Sequence, residues 1–316
     1  MLLYTTNNGQ AYCGNCIDLI QTELEDKSVQ LFISSPPFPQ VRDRNDYQNP
    51  DPNTFVDWLL NITQSLIPKL KSNGSIVFDL GHVYNYKNPT LNIYNYEFIY
   101  RAVKELNLNL CFQFFHYNPS SLPSPTAYCN RMKIRPKNSV NLAPWFSITP
   151  RPYADVTQVL NKYSRQFKKL LKIDEVKPND YTTPSGHYIH NDTWVNNKGS
   201  IPTNLLRIPN SDSRDPYLSA CKSVGIKPHS ARFPKDFARF FIKYLTEPND
   251  LVVDIFAGSN TTGFCAEELN RQWKSFELDR SFVSTSAFRF INDNKKYSLA
   301  YNELMSTNTT IQLTNY

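Results

Sequence analysis

The chain has 316 residues, 40% of them hydrophobic and 20% charged, with a net charge of +6, which supports a large buried core in one domain or in one domain carrying an insertion. No apolar run reaches the roughly 20 residues of a bilayer span, and the polar Thr5-Thr6-Asn7-Asn8 close behind Met1 lacks the apolar core of a secretory signal, so a cytoplasmic protein with no membrane partner is expected. Six cysteines are too sparse for a disulfide scaffold, and the mild basic excess suits a polyanionic partner without requiring one.

In chain order, strands are expected at 11–14, 29–34, 75–80, 109–117, 140–148, 251–256 and 273–278, and helices at 17–25, 54–70, 94–106, 233–245, 261–270 and 281–292. That alternation predicts an α/β fold with a doubly wound, mostly parallel sheet covered on both faces. Cys13-Gly14-Asn15-Cys16 follows the first strand. It is a C-x-x-C pair with no second pair or downstream His pair, so no metal site is expected; His187 and His190 read as an ordinary polar loop.

From 149 to 228 the alternation fails, and Pro, Asn, Ser and Tyr dominate. The stretch is too long for an ordinary connection and reads as an inserted, loop-rich subdomain, dividing the chain into 1–148, 149–228 and 229–316. Two segments concentrate basic charge. The one at 165–172 reads as the solvated face of an amphipathic helix. The one at 131–137, broken by Pro136, reads as a loop that offers Arg131, Lys133 and Arg135 to phosphates. The last residues, "STNTTIQLTNY", read as a loosely held tail.

The run "DLVVDIFAGSNTTGFCAEELNRQWKSFELD" is a strand, a tight loop, a helix and a second strand ending in Glu277, twenty-three residues after Asp254. A P-loop needs a lysine after its second glycine, yet Phe264 follows Gly263. A dinucleotide wants three glycines for close approach of its pyrophosphate, where only Gly258 and Gly263 stand. S-adenosylmethionine carries no phosphate. It needs an acid or polar group for its amino end, a small-residue turn beside its ribose and a carboxylate for the ribose hydroxyls, and Asp254, Gly258 with Ser259, and Glu277 supply that set.

Ser35-Pro36-Pro37-Phe38 follows the strand at 29–34. In an open parallel sheet ligands sit at the carboxyl ends of strands, so Ser35 faces the cofactor's methyl group if that strand neighbours the one at 251–256. The two prolines stiffen the loop. An aromatic amine is a poor nucleophile because its lone pair is delocalised. Acceptors out of the ring plane, here the Ser35 hydroxyl and the Pro36 carbonyl, hold its N–H bonds so that the lone pair turns toward the methyl donor, and they stabilise the positive charge that develops on nitrogen. Phe38 can stack on the base, which must leave the duplex to enter such a pocket.

Together these residues resemble the beta-group amino-methyltransferases of DNA, whose catalytic tetrapeptide precedes the cofactor motif along the chain, and Ser35 at the head of the tetrapeptide looks like the cytosine-N4 branch. The resemblance runs over nearly the whole chain, through "SPPF", "LPSP" (122–125), "GSIP" (199–202), "ARFP" (231–234), "GSNTTG" (258–263) and "SAFRF" (286–290). It implies a seven-stranded, circularly permuted methyltransferase sheet and a target-recognition region at 149–228. It implies that Ser35, Pro36, Pro37 and Phe38 hold the base and that Asp254, Phe256, Gly258, Ser259, Asn260, Thr261 and Glu277 surround S-adenosylmethionine, with Phe233 and Pro234 at its methionine end. Asn15 stands where most relatives carry Asp; a neutral amide can hydrogen-bond the cofactor's amino group but does not pair with its charge. The implied partners are double-stranded DNA and a restriction endonuclease of the same site, with the enzyme a monomer.

Several alternatives stay open. Adenine-N6 methylation uses the same architecture. Carbon-5 methylation needs a cysteine nucleophile, and no Pro-Cys dipeptide occurs. Methylation of a protein glutamine would usually show Asn-Pro-Pro-Tyr. A degenerate, non-catalytic DNA binder would have lost Asp254, Glu277 or the tetrapeptide, and a dinucleotide-dependent oxidoreductase would bind NAD.

Overall fold

The computed structural model describes residues 1–39, 54–85, 88–163, 165, 181–182, 184–186, 188–189, 198–210, 212–232, 234–306 and 309–315. The chain forms two compact units, one of Met1–Ala154 with Asn204–Tyr316 and one of Asp155–Thr203.

The larger unit is built on one sheet. Its strands are β1 (Leu2–Thr5), β2 (Gly9–Cys13), β3 (Val29–Ser34), β4 (Leu70–Phe78), β5 (Asn109–Tyr117), β6 (Val140–Ser147), β9 (Leu205–Arg207), β10 (Leu251–Asp254), β11 (Gln272–Glu277) and β12 (Ile311–Gln312), in the order β12-β1-β2-β11-β10-β3-β4-β6-β5-β9; β7 and β8 belong to the smaller unit. From β2 to β4 all neighbours are parallel, and β6 then runs antiparallel to both β4 and β5.

β3 lies at the centre, and every one of its residues is buried, as a strand covered on both faces requires. Leu31 and Ile33 point into one hydrophobic cluster and Val29 and Phe32 into the other. The first is covered by a helix at Lys235–Leu245, whose Phe237, Phe241, Ile242 and Leu245 form a helix-period apolar stripe. The second is covered by helices at Phe55–Leu66 and Tyr94–Glu105, through Phe55, Leu59, Ile62 and Leu66 of the one and Phe98 and Ala102 of the other. In chain order the helices of eight or more residues among the described ones are α1 (Cys16–Glu23), α2 (Phe55–Leu66), α3 (Tyr94–Glu105), α4 (Pro216–Ser223), α5 (Lys235–Leu245), α6 (Thr261–Glu268) and α7 (Tyr297–Ser306).

All seven strands read from the sequence are present, and the α/β, doubly wound class holds. The sheet is wider than seven because β1, β9 and β12, of two to four residues, carry too little pattern to read. The boundary of the insertion also differs. Residues 204–228 lie in the larger unit, where β9 pairs with β5 and α4 buries Tyr217, Ala220 and Cys221; the compact second unit is shorter than 149–228. In it, Asp155 caps a turn at Val156–Val159, β7 (Tyr181–Thr182) pairs with β8 (Tyr188–Ile189), and Asn161 bridges Ser200. His187, His190 and most of 165–172 lie outside the described residues. Cys13 and Cys16 are free thiols.

The end of the chain departs from the expected loose tail. β12 pairs in parallel with β1, Tyr4 opposite Ile311, and Ile311 and Leu313 are 5% and 2% exposed. Their apolar side chains close the sheet edge over the first cluster. Leu313→Ala is therefore expected to cost about 2–4 kcal/mol of unfolding free energy, as truncation in a packed core does, measurable by urea denaturation; a loss below about 0.5 kcal/mol, the level of an ordinary surface site, would return the segment to a loose tail.

Candidate active site

The site forms where the parallel strands end. β3 and β10 are neighbours in parallel register, Val253 opposite Phe32, so the loop after Ser34 and the loop after Asp254 leave the sheet side by side. They are tied together by Asp254, which is 4% exposed. Its Oδ1 accepts from the Ser34 hydroxyl at 2.6 Å and from the Phe256 amide at 3.1 Å, and its Oδ2 accepts from the Thr262 hydroxyl at 2.6 Å. Burial raises its pKa, an effect these donors oppose.

A cavity of about 620 Å³ opens at these tips, within the range of small-molecule sites. One wall is Ser35, Pro36, Pro37 and Phe38, and another is Phe256, Ala257 and Gly258 with Glu277 and Leu278. Gly258 takes φ +50°, a backbone that glycine adopts without penalty. Its amide donates to Glu277 Oε2 at 2.9 Å while the Asp279 amide donates to Oε1 at 3.0 Å. Burial raises the Glu277 pKa and the amides oppose it. Each carboxylate oxygen keeps acceptor capacity after those bonds, which is the requirement for holding a ribose diol. The donor set therefore fits S-adenosylmethionine, with a carboxylate at a strand tip, a close-approach glycine beside it, and no cluster of cations for a phosphate in that wall.

The tip of β4 closes the base end. The Ser35 hydroxyl donates to the Asp79 carbonyl at 3.2 Å. The Asp79 carboxylate, buried, accepts from Asn141 Nδ2 at 3.2 Å and faces His116 Nδ1 at 3.3 Å, while His116 Nε2 faces the Ile208 carbonyl at 3.0 Å. Both imidazole nitrogens thus point at acceptors, which suits the doubly protonated ring. Burial pulls the His116 pKa down, but the Asp79 carboxylate outweighs it and leaves the pKa above its ordinary value. Two residues further on, Gly81 meets Phe38: a Cβ built there would come within 2.6 Å of the ring. The phenyl ring rests on bare backbone, held from behind by the Tyr94 hydroxyl on the Gly81 carbonyl.

Of the residues read from the sequence, Ser35, Pro36, Pro37, Phe38, Asn15, Pro234, Asp254, Phe256, Gly258 and Glu277 all border this one cavity. Asn15 also caps α1, its Oδ1 accepting from the Ile17 amide at 2.9 Å. Phe233 lies outside the described residues. Ser259, Asn260 and Thr261 are 1–2% exposed and their side chains do not line the cavity. They build the loop. Asn260, at φ +52°, caps α6 by accepting from the Gly263 amide and donates to the Tyr4 hydroxyl; Ser259 is held by Arg289, which donates to its carbonyl at 2.6 Å and its hydroxyl at 3.1 Å. Arg131, Lys133 and Arg135 are exposed on the segment between β5 and β6, apart from the cavity lining, and Arg135 Nε donates to the Pro89 carbonyl at 2.9 Å.

The sequence reading missed Asp79, His116, Asn141 and His229. An acid directly after a strand, in Phe78-Asp79-Leu80-Gly81, was the one available signal. His229 donates from Nδ1 to the Ala231 carbonyl at 2.8 Å and packs beside Gly258 in the cavity wall, and burial lowers its pKa, so it stands there as a neutral ring.

A family model described as DNA methylase, of the N6/N4 methyltransferase kind, matches residues 29–288. The type II methyltransferase M.PvuII of Proteus hauseri is 44% identical over 306 residues, covering 96% of this chain and 90% of the relative. Among solved structures, the PvuII DNA methyltransferase (cytosine-N4-specific) superimposes with a TM-score of 0.80 at 38% identity, covering 98% of this chain and 96% of that one. The M1.HpyAVI–SAM complex shares the fold at 18% identity, with a TM-score of 0.50 over 89% of this chain and 98% of that one.

The His116–Asp79 pair makes stability depend on pH. A folded-state pKa above the unfolded value gives a contribution fully present below the ordinary 6.5 and lost as pH rises through the raised value. The stability difference between the wild type and His116→Gln is therefore expected to be largest near pH 6 and to shrink by about pH 9, read from urea unfolding at each pH. A gap that stays constant with pH would mean that His116 carries no charge in the folded state.

Proposed function

The chain belongs to the DNA methylase family, and from that premise we propose that it is a site-specific DNA methyltransferase, moving a methyl group from S-adenosylmethionine to the exocyclic N4 amine of a cytosine turned out of duplex DNA. The observation that carries the reading is the shared cavity, in which the Ser35–Phe38 loop at the tip of β3 faces the Gly258–Glu277 wall at the tips of β10 and β11. When bound, S-adenosylmethionine supplies a methyl group made electrophilic by its sulfonium.

The protein's own part is orientation and charge. The Ser35 hydroxyl spends its proton on the Asp79 carbonyl, so its oxygen offers the base lone pairs only. An amine with two N–H bonds is the complementary partner. With the Pro36 carbonyl as the second acceptor, the amine is held so that its lone pair faces the donor, and positive charge growing on nitrogen meets two negative dipoles. Phe38, resting on Gly81, offers its ring to the base, and its π face favours the same charge. Glu277 accepts from the ribose hydroxyls, and Asn15, His229 and Pro234 border the remaining cofactor end. Asp254 acts indirectly, by holding the two loops in register. Fixed placement of both reactants removes much of the entropic barrier.

Serine at the head of the tetrapeptide and the similarity to a cytosine-N4-specific enzyme support cytosine over adenine, whose N6 methylation would use the same architecture. The unit at 155–203, with flanking parts of 149–228, is the proposed target-recognition region, reading base edges in the major groove, while Arg131, Lys133 and Arg135 contact phosphates. The enzyme acts as a monomer in the cytoplasm, and a type II relative supports a companion restriction endonuclease of the same site.

Incubation with plasmid DNA and labelled S-adenosylmethionine, followed by digestion to nucleosides, is expected to yield N4-methylcytosine at one recurring site; N6-methyladenine would move the assignment to the other branch, and unlabelled DNA would end it. Ser35→Ala is expected to keep the cofactor dissociation constant within about twofold while lowering methyl transfer by roughly 10²–10³. Unchanged turnover would remove Ser35 from the chemistry. Glu277→Ala, in contrast, should raise the cofactor dissociation constant by about 10–100-fold in calorimetry, the loss of hydrogen bonds to a charged group; an unaltered constant would refute the ribose assignment.

A further inference from the structure

The Leu-Pro-Ser-Pro stretch at 122–125 takes no part in the cavity, yet its leucine is held in an unusual way. Leu122 is 81% exposed, the most exposed of the large apolar side chains among the described residues. Single exposed leucines are common and mean little by themselves. Here the backbone around the side chain is fixed. Pro119, Pro123 and Pro125 restrict it, Ser120 and Ser121 donate their amides to Asn118 at 3.1 and 3.3 Å, and Lys137 reaches across to the carbonyls of Pro119 at 3.4 Å and Ser121 at 3.0 Å. An apolar side chain is thus presented to water on a stiffened support.

Its place in the fold gives the exposure a use. β6 is antiparallel to β4 and to β5, so β5 runs in the direction of β3, β4 and β10 and ends at the same sheet edge. The segment from Asn118 to Ser139 rises from that edge. Its neck belongs to the cavity wall: Asn118 accepts from the Asn210 amide at 3.2 Å, and both Asn210 and Asn141 border the cavity. From β3 to β5 is three strand spacings, roughly 14 Å, and Leu122 lies at most about 14 Å along the chain from Asn118. The separation is of the order of a major groove, about 12 Å wide. The same segment exposes Arg131, Lys133 and Arg135, a basic flank for phosphates.

We propose that Leu122 is the wedge that enters the duplex at the target base pair and fills the gap left when the cytosine turns into the Ser35–Phe38 pocket. The inference rests on the reading of the chain as a base-flipping DNA methyltransferase. Extruding a base leaves unstacked neighbours and an unpaired partner, at a cost of a few kcal/mol. An apolar side chain inserted into the stack restores contact on both sides, and leucine is among the residues that wedge between base steps in other proteins. A stiff support matters because a side chain that had to be ordered on binding would give back part of the gain.

The test uses the full-length protein and duplex oligonucleotides carrying the methylation site mapped on plasmid DNA. Leu122→Ala is compared with the wild type on the fully paired duplex and on the same duplex with an abasic site opposite the target cytosine, where little pairing remains to be broken. The expected result is a loss of about tenfold in kcat/KM on the paired duplex, with recovery to within about twofold on the abasic one. Fluorescence of 2-aminopurine at the target position should rise on binding wild type and rise less with the variant, while the cofactor dissociation constant and thermal midpoint stay unchanged and Leu122→Met retains activity. An equal loss on both duplexes, or no loss on either, overturns the wedge. Absence of methylation by the wild type on any DNA removes the parent reading and the wedge with it, an outcome distinct from either of those.

Discussion

The arrangement of the site depends on one buried carboxylate. Asp254 sits buried at the end of β10, and an ion in that position is tolerable only when its lone pairs are taken by well-placed donors. The three it has come from three different pieces of the chain: the Ser34 hydroxyl on β3, the Thr262 hydroxyl on α6 and the Phe256 amide in the loop between β10 and α6. The residue after Ser34 is Ser35, and the Phe256 amide opens the turn toward Gly258. Fixing Asp254 therefore helps to fix how far the base-holding loop stands from the cofactor-holding loop, together with the Phe256 amide, which also donates to the Ser34 hydroxyl at 3.2 Å. In methyl transfer a small error in that distance costs much of the rate.

A second buried ion group fixes the far side of the same turn. Arg289, on the segment after β11, grips the carbonyl and hydroxyl of Ser259 and pairs with Asp215, which also accepts from Lys235 at 3.0 Å. Burial raises the Asp215 pKa, and the two cations more than reverse it. The guanidinium also lies over the Tyr217 ring at 4.7 Å. Asp215 starts α4, in the polar stretch that reads from sequence as part of the insertion, so the cofactor turn is braced by a residue some forty positions upstream of it. That bond adds to the β9–β5 pairing and the buried face of α4 in holding residues 204–228 to the larger unit.

What the sequence made legible and what it hid divide along the range of the interactions. The strand at 29–34 is apolar at four of its six positions and the helix at 235–245 repeats its aromatics at helical spacing, so both are read locally. The Ser-Pro-Pro-Phe and Asp-Ile-Phe-Ala-Gly stretches are local as well, since loop stiffness and a strand-turn-helix unit are written in consecutive residues. Asp79, His116 and Asn141 come from three strands and meet only through the β4–β6 and β5–β6 pairing; nothing near any of them in sequence announces the other two. The inward direction of Ser259, Asn260 and Thr261 was hidden for another reason. Composition locates a polar turn but not the side to which its side chains point, and here two left-handed residues, Gly258 and Asn260, turn them inward. Asp254 was read as an acid at the cofactor's amino end, and the structure adds bonds to Ser34, Phe256 and Thr262 that no local pattern announces, because a strand-end carboxylate serves either task with the same residue.

The antiparallel β6 beside β4 accounts for the division of labour at the site. A parallel strand delivers only its carboxyl end to the ligand-bearing edge. By reversing once, β5 and β6 deliver a carboxyl end and an amino end to that edge together, and the chain between them remains free to project outward. The β6 strand of the pair is buried from Leu142 to Ser147 and tied to β4: Trp145 donates to the Ser75 hydroxyl at 2.8 Å and Asn141 reaches Asp79. The outer part of the pair is proline-framed and exposed. A base-flipping enzyme must both enclose a base and replace it in the duplex, and these tasks ask for opposite surfaces, one shaped and polar, the other apolar and protruding. A hairpin rooted in the cavity wall meets both with a single support, because whatever holds Asn141 against Asp79 also fixes the direction in which the segment beyond it rises.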